Sequence, residues 1–322
     1  MDMVKVSIIV PVYQVSAYIE RCMRSVMSQT YPHIECIIVN DASSDDGMTK
    51  CREALDSYDG PITFRFMEHP ENRGLSAARN SGLGMATGDY VYFLDSDDEL
   101  LTDSIEKLVA PVINDSSIEV VQGNYICQDH IYGRSKTQCQ KGVCKWQIQD
   151  ISGNQEIRFC YFKKKQIPVT AWNKLISRAF LMRNQLRFIE GQLFEDILWT
   201  FYMMKSIKHM YLVPDVTYIY YKRRGSIKDA TPFHEVLSHY GSIYNDIASH
   251  LTKGSELLET HSYSYGFCLF YLHNQRDKNF QYAYKKFMKV LSKDKLSVDR
   301  FLLFGTHVLS RWTPIRYLKR GI

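Results

Sequence analysis

An α/β fold built on a mostly parallel sheet flanked by helices is what this sequence of 322 residues predicts. Three observations carry the prediction. Strand and helix signals alternate through residues 1–110. The strands are continuous apolar runs, which suit a sheet covered on both faces. A polar cluster closes most of them, and in such sheets ligands bind at the carboxyl ends of the strands. Composition agrees, with 45% hydrophobic and 23% charged residues; disordered, collagen-like and coiled-coil chains are excluded. No run approaches the ~18 apolar residues of a membrane span, and no charged-then-apolar leader opens the chain. A cytoplasmic protein is expected, at most peripheral on the inner face of the cell membrane.

The elements follow in order. Val6–Val12 is a β-branched apolar run that reads as a buried strand, with Pro11 near its end. A helical stretch covers 16–29, with Ser16 as the expected N-cap because its hydroxyl can accept an orphan backbone N–H. Residues 35–39 make the second buried strand, closed by Asn40-Asp41-Ala42-Ser43-Ser44. A helix over 47–58, a strand over Thr63–Glu68, a helix over 74–86 and a strand over 90–94 complete the alternation. The last strand runs into Asp95-Ser96-Asp97-Asp98. Beyond about 111 the pattern weakens, and the polar segment 122–150 is expected as loop and short strands. Helical spacing returns over 171–185 and Glu195–Ser206, 211–221 reads as a strand, and 233–322 is mostly helical. Boundaries near 110 and 227 divide the chain into 1–110, 111–227 and 228–322.

The net charge of +5 hides an asymmetry. Residues 1–110 hold 9 Lys and Arg against 18 Asp and Glu, whereas 111–322 hold 31 against 17. A nucleic-acid binder would need a clustered basic face, which the acidic front half lacks. The last stretch, 281–322, has 10 basic and 2 acidic residues; an anionic membrane, a phosphorylated substrate or plain solvent suits such a face. The eight cysteines are scattered, so reduced thiols are expected. Cys127-x2-His130 followed by Cys139-x4-Cys144 lacks the paired knuckles of a structural zinc site.

Several constellations can carry chemistry. Asp95 and Asp97, two apart at a strand exit, can share a hard divalent cation completed by water or phosphate oxygens; an acidic turn is the plain alternative. Asp41 and Tyr13 close neighbouring strands and can accept a base N–H and stack on its ring. Turn and rim roles compete with that use. Arg73 and Arg79 flank a helix start, an anion site by geometry and charge. Glu195-Asp196 opens a helix, either as a general base or as a match to the helix dipole. Gly82-x-Gly84 lies late in a helix, so it is no dinucleotide loop. A Gly-x4-Gly-Lys-Ser/Thr run, the mark of a P-loop enzyme, is absent.

In one order and spacing come Val6-Ser-Ile-Ile-Val-Pro-Val-Tyr13, Ile37-Ile-Val-Asn-Asp41-Ala-Ser-Ser-Asp45, Asn72-Arg-Gly-Leu-Ser-Ala-Ala-Arg79-Asn80-Ser-Gly82 and Gly88-Asp-Tyr-Val-Tyr-Phe-Leu-Asp95-Ser-Asp97-Asp98. Together they resemble the family 2 glycosyltransferases, inverting enzymes of the Rossmann-like GT-A fold that use nucleotide sugars. Trp172-Asn-Lys-Leu175, Phe194-Glu-Asp196 and Tyr220-Tyr-Lys-Arg-Arg-Gly-Ser-Ile227 extend the likeness to bacterial capsule and exopolysaccharide members. Past about 230 it fades. Gln14 stands where Asn is usual, Asn40 replaces a common Asp, and Ala42 replaces a turn Gly.

The resemblance implies roles. Pro11 and Tyr13 line the base and ribose pocket, and Asp41 accepts the uracil N3–H of a UDP-sugar. Arg79 lies close to the nucleotide, with Asp95 and Ser96 near the ribose. Asp97, with Asp95, holds the Mn2+ or Mg2+ of the diphosphate. Asp196, beside Glu195, is the general base for a glycan or lipid-linked acceptor in surface polysaccharide synthesis. Lys222, Arg223 and Arg224 are expected to close over the phosphates. Trp172 and Lys174 border the acceptor site, unless Trp172 is core. Around Arg300, Arg311, Arg316, Lys319 and Arg320, one helical face of Val298, Phe301, Leu302, Val308, Leu309 and Trp312 suits an interfacial helix, a docked helix or a dimer contact. Two other functions compete. A sugar-phosphate nucleotidyltransferase needs a glycine-rich loop where Pro11-Val-Tyr-Gln stands. A catalytically silent sugar-nucleotide-binding partner of an assembly complex predicts loss of the carboxylates that Asp95, Asp97 and Asp196 retain.

Overall fold

The computed structural model describes residues 3–129, 137–138, 149–226, 230–274, 276–292, 299 and 303. His130, Cys139, Cys144 and, apart from residues 299 and 303, the basic tail helix expected from 298 onward lie outside these residues. The chain forms two units, one of 1–157 with 166–226, the other of 158–165 with 227–322.

The first unit is built on one ten-stranded sheet. Its strands are β1 (Val6–Val12), β2 (Ile34–Asn40), β3 (Thr63–Glu68), β4 (Tyr90–Phe93), β5 (Glu99–Leu100), β6 (Val120–Asp129), β7 (Thr137–Gln138), β8 (Asp150–Ser152), β9 (Lys174–Ser177) and β10 (His209–Lys222). The order is β3-β2-β1-β4-β9-β6-β10-β5, with β7 beside β6 and β8 beside β10. Strands β1 to β4, β6 and β10 run parallel, while β9 is antiparallel to both β4 and β6. Every residue of β1 is buried, which is why its sequence is a continuous apolar run.

Helices cover both faces. Residues Val6, Ile8, Val10 and Val12 of β1 pack with α1 (Ile19–Met27), α2 (Gly47–Leu55) and α4 (Ser104–Asn114). On the opposite face α3 (Leu75–Met85) lies against β1 at Gly82, where an added Cβ would come within 2.4 Å of Ile9 Cγ2. Glycine at that position lets helix and strand approach. The unit also holds α5 (Asn154–Arg158), at its border, α6 (Arg178–Arg183) and α7 (Glu195–Ser206). Trp199 of α7 stacks on Phe188 and meets Phe93 of β4 edge-on.

At the amino ends of the parallel strands, Glu35 is a buried staple. Its carboxylate accepts from Ser7 Oγ (2.5 Å), the Thr87 N–H (2.7 Å) and Lys5 Nζ (3.3 Å). Burial alone would raise its pKa, but these donors pull it down to about 2. This end is remote from the polar clusters, so Glu35 serves stability.

Three local expectations change. Helix α1 starts at Ile19 without a side-chain cap. Ser16 instead donates its N–H to Asp45 at 2.7 Å and its hydroxyl to Asp46, joining two loops. Of the polar stretch expected as loop and short strands, residues 122–129 belong instead to the long strand β6, Val120–Asp129, in the sheet interior, while β7 and β8 are short. The side-chain amide N–H groups of the buried Gln122 and Asn124 of β6 donate to carbonyls of residues 123, 173 and 214. This offsets part of the cost of burial, while Gln122 Oε1 has no partner among the described residues. Residues 174–177 form a strand where helical spacing extended from 171. Pairing with β4 and β6 overrides the local preference there.

The second unit contains α8 (Phe233–Ser249), α9 (Glu256–Tyr271) and α10 (Lys278–Leu291), with a π-helical turn over Phe159–Lys163. Tyr244, Phe267, Tyr271, Phe280 and Phe287 form its aromatic core. Arg158 and Glu259 pair within it, both buried. Asp277 caps α10, accepting from the N–H groups of Asn279 and Phe280. Among the described residues no helix is long and apolar enough to cross a membrane.

Candidate active site

The carboxyl ends of β1, β2, β3 and β4 lie side by side, and the polar segments following them gather there. Asp41, just past β2, is buried. Its Oδ1 accepts from the Arg73 N–H (2.9 Å) and His69 Nδ1 (2.7 Å), and its Oδ2 from the Gly74 N–H (2.7 Å). The carboxylate thus ties β2 to the turn that opens α3, where Gly74 has φ +86°. Pro11 is buried in β1 opposite Val39, beyond the last β1–β4 pair at Ile9 and Phe93. A missing N–H costs least at such a place. Tyr13 beside it is 42% exposed and presents its ring to solvent.

Arg79 is the hub of the site. It projects from α3 and is 1% exposed. Its guanidinium reaches Asp95 Oδ1 (2.8 Å), Glu195 Oε1 (2.6 Å) and Asp196 Oδ1 (3.2 Å). One cation therefore joins the exit of β4 to the amino end of α7. Burial opposes the charged form, but the three carboxylates overcome it and raise the Arg79 pKa further. Asp196 is pushed up to about 7, first by burial and then by Glu195, with Arg79 pulling the other way. Phe194, which precedes the pair, holds a left-handed backbone at φ 59° and ψ 37°. A bulky residue adopts that conformation only under constraint, and here it turns the chain into α7.

Ser96 and Asp98 are buried, while Asp95 and Asp97 are partly open. Asp98 accepts from Tyr218 Oη (2.6 Å) and the Tyr221 N–H (2.8 Å), which fastens the acidic turn to β10. Asp97 Oδ2 accepts from Arg223 Nε at 2.6 Å, and that guanidinium lies over the Tyr18 ring. Burial and Asp95 raise the Asp97 pKa, against the pull of Arg223. Of the basic run expected over phosphates, Lys222 and Arg224 are exposed and Arg223 sits on Asp97. Among the described residues no three His, Cys, Asp or Glu side chains are grouped to hold a metal ion. Asp95 and Asp97 each have a second oxygen beyond the one paired with arginine, and these are the residues that could hold a hard divalent cation completed by phosphate oxygens and water.

Trp172 and Lys174, expected at the acceptor edge, are both buried. Trp172 stacks on Tyr218 (4.5 Å) and Tyr220 (5.5 Å), with Tyr125 edge-on, so the core alternative describes it. Lys174 is 0% exposed, so it lies inside rather than on an open edge. Its Nζ donates to the Pro168 carbonyl at 3.0 Å and to that of Thr170, and burial lowers its pKa to about 7.

Sequence reading passed over Asn173, His69 and Tyr218. Asn173, at φ 59° and fully buried, donates to the carbonyls of Gly123 and Asn124 and accepts from Thr217 and Tyr92. Asn tolerates the left-handed region better than most residues, which is the one local signal it offered. His69 carries only its place at the end of β3.

The model for Glycosyl transferase family 2 matches residues 7–180. The chain is 33% identical over 232 residues to the Glycosyltransferase GlyA of Streptococcus pneumoniae, covering 69% of this chain but only 31% of GlyA. It is 30% identical over 231 residues to GlyG of the same organism, covering 69% of this chain and 72% of GlyG. The crystal structure of S. aureus TarS 1–349 aligns with a TM-score of 0.71 and 17% identity, over 99% of this chain and 92% of that one. Its complex with UDP-GlcNAc gives 0.61 and 18%, over 88% and 90%. At these identities the likeness to TarS is one of fold.

Proposed function

The chain belongs to glycosyl transferase family 2, and we propose that it is an inverting glycosyltransferase acting in surface polysaccharide synthesis. It moves a sugar from a UDP-sugar to a hydroxyl of a glycan or lipid-linked acceptor. The observation that carries this reading is Arg79, which gathers Asp95 on the donor side and Glu195-Asp196 on the acceptor side around one guanidinium. The TarS complex with UDP-GlcNAc supports a nucleotide-sugar donor on this fold.

The chemistry follows from the residues. Asp196 takes the proton of the acceptor hydroxyl as its oxygen attacks the anomeric carbon, and the bond from that carbon to the diphosphate breaks on the opposite face. One displacement inverts the carbon and needs one base, unlike the paired carboxylates of retaining hydrolases. A pKa near 7 suits a general base at neutral pH. Arg79 keeps the base oriented by holding its Oδ1. Asp95 and Asp97 would hold Mn2+ or Mg2+, which would supply Lewis-acid neutralisation of charge on the leaving diphosphate. Tyr13 offers its exposed ring to the nucleoside.

Asp196→Asn tests the base. UDP binding by calorimetry should stay at the wild-type level while transfer falls by roughly 10²–10⁴-fold. Transfer near the wild-type rate would take the role from Asp196. Titrating UDP with and without Mn2+ into wild type and Asp97→Ala tests the donor side. Binding that ignores both the ion and Asp97 overturns that assignment.

A further inference from the structure

Asp41 and His69 follow neighbouring strands β2 and β3, and both are buried. His69 Nδ1 lies 2.7 Å from Asp41 Oδ1, and its Nε2 lies 2.9 Å from Ser81 Oγ on α3. A carboxylate only accepts, so Nδ1 carries the proton toward Asp41, and in the neutral ring Nε2 accepts from the Ser81 hydroxyl. With the Arg73 and Gly74 N–H groups added, Asp41 accepts from three donors, two on Oδ1 and one on Oδ2. A carboxylate has about four acceptor positions. The one that remains is therefore on Oδ2.

We infer that His69, backed by Ser81, is a positioning residue for nucleobase recognition: it fixes the Asp41 carboxylate so that the free direction of Oδ2 meets the N3–H of a uracil. The inference rests on the UDP-sugar reading above and deepens it. Cytosine carries no proton on N3 at neutral pH, and a site built around a fixed acceptor rejects a base that cannot donate to it. The Asp–His–Ser order of bonds is also that of a hydrolytic triad, but Ser81 lies within α3. Helix-interior N–H groups are already bonded and supply no oxyanion hole. The device holds; it does not attack.

Calorimetric titration of UDP and of CDP into the full chain tests this, with thermal melting as the check on folding. The proteins are wild type, His69→Leu, His69→Asn, whose amide N–H can replace that of Nδ1, and Ser81→Ala. His69→Leu should weaken UDP roughly tenfold with CDP little changed, and His69→Asn should keep UDP within roughly threefold of wild type. Unchanged UDP affinity in His69→Leu, or equal losses for UDP and CDP, overturns the inference and leaves the donor reading standing. Should His69→Leu fail to fold, Ser81→Ala decides: a fall in the UDP-to-CDP preference supports the positioning role, and an unchanged preference overturns it. Wild-type protein that binds no UDP overturns the donor reading and this inference together.

Discussion

Ala42 and Gln14 occupy left-handed backbone, at φ 54° and 50°. The conformation costs an ordinary L-residue roughly 1–2 kcal/mol, and glycine escapes that cost at the expense of more unfolded-state entropy. Ala42→Gly should therefore gain about 0.5 kcal/mol, seen as a higher midpoint in urea with an unchanged slope. A lower midpoint would mean the methyl group packs better than the backbone is strained. Both positions stood out in the sequence as departures from the resembled motif. His69, Asn173 and Phe194 did not, because what matters about them is a partner or a backbone angle that no local pattern encodes.

Helix α3 shows how an element serves two purposes. One turn of it brings Arg79 under the carboxylates and Gly82 over Ile9. Gly82→Ala forces its methyl to within 2.4 Å of Ile9 Cγ2, and overpacking of this kind costs about 1–3 kcal/mol. Because the helix must then lift from β1, transfer should fall more than stability alone explains. Comparing activity with the folded fraction from melting curves checks it; equal losses would mean that Arg79 stays in place. Strands β1, β2 and β4 and helices α1 to α3 were legible because apolar runs, helical spacing and burial coincide there, whereas β5 and α4 were not read. Strand β6 was not, since its interior face carries Gln122 and Asn124. Strand β9 escaped as well, being set by neighbours on both sides.

At the scale of the whole molecule, one end of the sheet gathers the candidate site and the other holds the Glu35 staple. Glu35 titrates near 2 in the folded chain against an ordinary 4.5. Its contribution is complete above about pH 4.5 and drains away as pH falls toward 2, because the unfolded chain then takes up the proton first. The loss is about 2 kcal/mol, so Glu35→Gln should remove that part of the acid dependence when stability is measured from pH 6 to 3. A parallel pH profile in the variant would place the acid sensitivity elsewhere. The proposed base is shifted the other way: Asp196 is raised to about 7, so transfer should likewise fall, about tenfold per pH unit below that value, while UDP binding holds. By itself the sequence determined the family, the parallel core and the carboxylates, since these rest on buried apolar runs and short motifs whose meaning is local. Only the tertiary structure decided that Arg79 joins Asp95 to Asp196, that Trp172 and Lys174 lie inside, and that His69 stands behind Asp41. Those are contacts between residues far apart in the chain, made by strand order and helix placement, and no spacing along the sequence records them.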